Sequence, residues 1–191
     1  MDPDPSSSIF LILGSLAASA FFSGMEIAFV SANRLQIELN AKQGWRGQLA
    51  ASFFKRPQLF IAVMLVGNNI ALVICGMESG ALISNQLFSS LDWLSAPSPM
   101  FALAVQTLVT TLVVIVTAEF IPKSIFLRNP AQWLKRLSVP LLMTNTVLAI
   151  PAWIIIGLSK IFLFPFTTGR LESVSRGLGS TDLNHFLESA S

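Results

Sequence analysis

From Pro57 to Pro122 the chain runs 66 residues without a lysine or arginine. A water-soluble domain does not surface itself that way, because exposed faces carry charges of both signs at close intervals. Long apolar segments with basic residues gathered at their ends are what a bilayer demands. Near the end of this stretch stands a single carboxylate, Glu119, after the run Leu112-Val-Val-Ile-Val-Thr-Ala118. An acid in such surroundings is costly unless a cation, a proton or a network of donors meets it, which makes it a functional candidate by default.

Composition points the same way. Hydrophobic residues make up 53% of the 191, and Asp, Glu, Lys and Arg only 12%, about half the share usual in soluble domains. The net charge of +2 and pI near 9.0 would suit nucleic acid. The basic residues cluster beside apolar segments, however, and no nucleic-acid motif accompanies them, so no nucleic-acid partner is expected. The one cysteine, Cys75, excludes an internal disulfide and a cysteine metal cluster. The first eight residues have an acidic start and lead into no clean cleavage pattern, so residues 1–8 read as a short extracytoplasmic tail rather than a signal peptide.

Spanning a bilayer takes about 20 residues, and three stretches suffice: Ile9 to Val30, with Ser6 to Ser8 as N-caps; Gln58 to Leu82, after Pro57; and Pro99 to Phe120. Between the first two lie Arg34, Lys42, Arg46, Lys55 and Arg56, whereas Ser84 to Ser98 holds no basic residue. Beyond the third come Lys123, Arg128, Lys135 and Arg136. The positive-inside rule then sets the N-terminus outside and both basic loops in the cytoplasm of a multi-pass protein of the cell inner (plasma) membrane. Residues 31–54 read as two short amphipathic helices at the inner surface, with Leu35 and Leu39 on one face and Gly44 and Gly47 as interruptions.

A fourth apolar block, Val139 to Phe164, conflicts with this scheme if it spans, since it would carry Arg170, Arg176 and the tail outside. Pro140, Pro151 and Pro165 punctuate it, and an interior proline removes a helical hydrogen bond. A hairpin entering from the cytoplasmic side and breaking near Ile150-Pro151 satisfies both charge and prolines; a fourth span is the alternative. The expected fold is therefore all-α and integral to the membrane, with three transmembrane helices plus broken or re-entrant and juxtamembrane helices on the cytoplasmic side. Residues 9–168 are expected to form this transmembrane domain, and residues 169–191 read as a cytoplasmic linker.

Each span contains one polar cluster. The first is Ser23-Gly24-Met25-Glu26, with Ser23 and Glu26 three apart on nearly one face. The second is Gly67-Asn68-Asn69. The third is Thr117-Ala118-Glu119 before Pro122, whose missing N–H leaves the Ala118 carbonyl without its usual donor. Hydroxyl, amide, carbonyl and one carboxylate form an all-oxygen set that suits hard cations such as Mg²⁺ or Na⁺. Plainer roles stand beside this one: Ser23 as a packing serine, the asparagines as interhelical bonds, Glu119 paired with Lys123, Glu26 anchored to Arg34 or Lys123. No nucleophile–base pair or histidine-rich motif suggests an enzyme.

Phe22-Ser-Gly-Met-Glu-Ile-Ala28, Val66-Gly-Asn-Asn69 and Ala118-Glu-Phe-Ile-Pro-Lys-Ser124 resemble, in order and spacing, the signature stretches of the DUF21 transmembrane domain. That domain is shared by the CorC proteins of prokaryotes and the cyclin M proteins of animals. The resemblance covers Ile9 to Phe166. It implies a homodimeric transporter exporting Mg²⁺ with inward Na⁺ as the coupling ion, and a Mg²⁺ site on Ser23, Asn68, Ala118 and Glu119. Gly24, Glu26, Gly67, Asn69 and Pro122 would stand behind these or serve Na⁺. A Mg²⁺-responsive regulatory subunit and a divalent-cation channel are the alternative functions. Two departures matter: Ala118 replaces a glycine common in the third motif, and Met25 and Ile27 replace hydroxyl residues of the first. Relatives continue into nucleotide-sensing CBS domains, toward which residues 169–191 would lead.

Overall fold

The computed structural model describes residues 5–82 and 99–163, and among the described residues the regular structure is helical throughout. Helix α1, Pro5–Ser31, begins earlier than the apolar pattern predicts. Pro5 supplies a preset φ for a first turn, so Ser6 to Ser8 lie inside the helix instead of capping it, and Ser8 is buried. Two short helices follow. Helix α2, Arg34–Ala41, is capped by the Asn33 side chain, which accepts from the Leu35 N–H. Helix α3, Trp45–Phe53, starts after Gly44, whose φ of 136° is open only to glycine at little cost. Gly47 was expected to interrupt but lies within α3, where its bare Cα lets the Asn40 carbonyl of α2 approach. Leu35 and Leu39 are exposed, while Ile37 between them is buried.

Helix α4, Pro57–Leu82, matches the second span. The third span is longer than expected. Helix α5, Pro99–Val114, passes into a π-helical turn, Ile115–Phe120, and on into α6, Ile121–Leu127. Pro122 therefore does not end the rod at Phe120. It sits in the first turn of α6, directly after the wide turn, and the rod continues through it. Helix α7, Pro130–Arg136, also opens on a proline, and α8 covers Ser138–Leu163.

The hairpin expected to break at Ile150-Pro151 is not formed, because α8 runs through Pro151. Pro140 stands in its first turn, where no intrahelical donor is needed, and Pro151 removes one bond from a helix that stays continuous on both sides of it. Four helices are thus long and apolar enough to cross a membrane by length and composition: Ser6–Ser31, Pro57–Gly80, Thr107–Leu127 and Ser138–Phe162. The loop Ser84 to Ser98, Pro165 and the tail from Arg170 lie outside the described residues.

The chain divides into two units, Met1–Trp153 and Ile154–Ser191; of the second, the described part is the end of α8. In the first unit α1 is the central rod, packed against α4, the π turn, α6 and α7. Its C-terminal end is pinned by aromatic rings. Phe29 stacks on Phe54 and on Phe60 with 4.3 Å between centroids in each pair, and Phe53 lies 5.3 Å from Phe60. Such pairs add about 1 kcal/mol each beyond their burial, and together they fix α3 and the start of α4 against α1.

Candidate functional site

Two glycines bring the three rods together. A Cβ on Gly67 of α4 would meet the Phe22 ring of α1 at 2.5 Å, and one on Gly24 of α1 would meet the Phe126 ring of α6 at 2.7 Å. The Phe126 ring is itself stacked on Trp133 of α7, centroids 4.6 Å apart. Successive residues of an α-helix point about 100° apart. Phe22 faces α4 and Gly24 faces α6, so Ser23 between them is directed into the wedge where the two rods flank α1.

Ser23 is fully buried, and its Oγ has no hydrogen-bond partner; among the described residues the only other such side-chain atom is Thr110 Oγ1 of α5. A buried hydroxyl without a partner costs roughly 1–3 kcal/mol. The π turn, which also packs against α1, changes the backbone pattern of the third span. The Ile121 N–H bonds to the Val116 carbonyl, five residues back, and the donor that would continue this series belongs to Pro122 and does not exist. The proline thus withholds a donor from the Thr117 carbonyl in the five-back pattern as well as from Ala118 in the four-back one expected from sequence. Ala118 is fully buried in this turn and Pro122 is buried after it, while Glu119 is half-buried. Ala118 sits in the turn without a positive φ, so nothing in its backbone asks for glycine.

Asn68 and Asn69 part company. Asn68 is half-buried and accepts a 2.6 Å hydrogen bond at Oδ1 from Ser19 Oγ of α1, whereas Asn69 is exposed. Asn68 thus does act as an interhelical bond. Its second carbonyl lone pair is still available to a cation. Sequence reading missed Ser19, which is fully buried. The signal was the series Ser8, Ser15, Ser19, Ser23, all buried, at spacings of seven and four that mark one helical face. Glu26, half-buried, falls with Ser19 and Ser23 inside a sector of about 60° on α1.

No side-chain hydrogen bond or ion pair joins Glu119 or Glu26 to another described residue, so the pairings with Lys123 and Arg34 open at sequence level are not made here. Thr117 is exposed and returns its hydroxyl proton to the Val113 carbonyl at 2.6 Å. Among the described residues no cluster of three or more His, Cys, Asp and Glu side chains occurs. The polar groups that α1, α4 and the π turn contribute are neutral oxygens with one carboxylate each on α1 and the turn, a set for a hard cation that keeps part of its water.

Comparison with known proteins agrees with this architecture. The chain is 31% identical over 126 residues, 64% of its length, to a UPF0053 protein of Synechocystis sp.. It is likewise 31% identical over 108 residues, 56% of its length, to the UPF0053 inner membrane protein YfjD of Escherichia coli K12. A UPF0053 protein of Haemophilus influenzae is 28% identical over 127 residues, 65% of this chain. The matches span 28%, 23% and 28% of those relatives, so the chain corresponds to about a quarter of their length. The family model of the cyclin M transmembrane N-terminal domain matches residues 10–176, and the chain belongs to that family of membrane domains.

Proposed function

We propose that this domain is the membrane-crossing core of a magnesium transporter, moving Mg²⁺ out of the cytoplasm with Na⁺ entry as the driving force. The observation that carries the proposal is the Ser23 hydroxyl, buried and unpartnered between Phe22, which meets α4, and Gly24, which meets α6. A fold keeps such a group at a cost when something outside the chain satisfies it. Ser23, the Asn68 carbonyl and the Ala118 backbone oxygen orient the ion or its remaining waters, and Glu119 supplies the charge. Ser19 holds the Asn68 oxygen toward α1, and Gly24 and Gly67 keep the rods close enough to share one ion. Glu26 and Asn69, beside these on α1 and α4, serve the coupling Na⁺.

The domain works as a homodimer in the inner (plasma) membrane, N-terminus outside. The name of YfjD as an inner membrane protein supports that location. The third span supports a second copy: only 11% of its apolar window is buried, which leaves a broad face for lipid or for its counterpart.

Flux from vesicles containing the purified protein tests the assignment. Glu119→Gln keeps the shape and removes the charge, and it is expected to abolish Mg²⁺ flux that the wild type supports. Undiminished flux in the variant refutes the role of Glu119. A wild type that gains thermal stability from Mg²⁺ and moves none is a regulatory subunit instead.

A further inference from the structure

At the basic end of the first unit lies a cleft of about 200 Å³ that shares no residue with the ion site. It opens where α3, α4 and α8 come together. Phe53 and Phe60, both buried, are among its apolar floor residues, and Lys55, Arg56 and Asn145 stand among the polar ones. Its volume is more than ten times the roughly 15 Å³ that a single water requires, enough for a polyatomic group.

Its charge is one-sided. Lys55 and Arg56 are exposed, and no acid lines the cleft. The neighbouring cleft between α2 and α3 also takes in Lys55, with Arg34, but there Glu38 offsets the cations. Immediately after Arg56, α4 begins at Pro57, so the positive end of a 26-residue helix adds to the same corner. Ser52 at the rim already gives its proton to the Leu49 carbonyl at 2.6 Å, which leaves Asn145 as the neutral donor.

Depth supplies the second constraint. Lys55 and Arg56 directly precede the apolar span Pro57–Gly80, and Asn145 lies two turns into Ser138–Phe162. The cleft therefore stands where a hydrocarbon-spanning segment meets a basic surface, the level of lipid headgroups. Two cations above an aromatic floor match an anion that carries apolar chains better than they match a free anion.

We propose that this cleft binds the headgroup of an anionic phospholipid, with the phosphate against Lys55 and Arg56 and the glycerol backbone over Phe53 and Phe60. The test is native mass spectrometry of the 191-residue chain in neutral detergent, titrated with phosphatidylglycerol, phosphatidylcholine or inorganic phosphate. Phosphatidylglycerol is expected to bind most tightly. Lys55→Gln with Arg56→Gln should weaken it about thirtyfold, from about fivefold for each cation near an anionic surface. Lys42→Gln with Arg46→Gln removes equal charge from the same end of the protein and should change binding less than threefold. Equal losses in the two double variants would reduce the effect to general basicity and overturn the proposal. So would phosphatidylcholine binding as tightly, or inorganic phosphate displacing the lipid at equal concentration.

Discussion

Ser19 and Ser23 lie one turn apart on α1 and are both completely buried, yet the same substitution should move stability in opposite directions. Ser19→Ala removes the 2.6 Å bond to Asn68. Interhelical bonds of this kind contribute about 0.6–1.7 kcal/mol in membranes, and the Asn68 oxygen loses its donor in a half-buried place. Ser23→Ala removes a hydroxyl that bonds to nothing described, relieving part of a penalty of roughly 1–3 kcal/mol. Alanine's better helix propensity adds a few tenths of a kcal/mol to both. Without Mg²⁺, Ser19→Ala should fall by about 1 kcal/mol and Ser23→Ala rise by about 1 kcal/mol. At about 2–4 °C per kcal/mol for a chain of this size, their melting temperatures separate by about 4–8 °C. The assay is thermal unfolding in detergent with EDTA, repeated with Mg²⁺. At a concentration 100 times Kd the wild type gains about 2.7 kcal/mol, and Ser23→Ala should lose most of that gain. If Ser23→Ala is destabilised in EDTA as much as Ser19→Ala, the hydroxyl is structurally satisfied and the ion-site reasoning fails.

Two further perturbations read the packing by the same unfolding assay. Gly67→Ala must displace the Phe22 ring, whereas a Cβ at Gly76 meets nothing within 4 Å; the first should lose about 1–3 kcal/mol through overpacking and the second gain up to about 1 kcal/mol in propensity. Pro151→Ala restores an amide donor inside an unbroken α8 and should raise stability by about 1 kcal/mol or more, whereas a loss would mean that the chain needs a bend at that position.

The amino-acid pattern reveals the spans because apolar length is a property of the chain itself. It also reveals which residue types interrupt them, and so Ser23, Asn68 and Glu119. It does not reveal where backbone donors end up. Three prolines in residues 138–165 suggest a break, but Pro140 falls in a first turn and Pro151 deletes a single bond, and neither position can be read without the helix start at Ser138. The π turn was hidden for a related reason, since apolar side chains on both sides of residues 115–120 blur any shift of period. Ser19 was overlooked because it sits among Ala17, Ala18 and Ala20, where a serine looks like one more small packing residue until its partner on α4 is seen.

The wide turn at Ile115–Phe120 makes this rod unusually tolerant of losing a residue there. A helix with such a bulge accommodates one extra amino acid relative to an uninterrupted one. Deleting any one of those six would let the rod wind evenly and leave everything beyond it facing nearly as it does now, because the wide turn already absorbs that residue. Phe126 would stay against Gly24, and what would change is the five-back bonding around Ala118. In such a chain the bulge shapes the backbone beside Ala118 without setting the direction of the helix that follows.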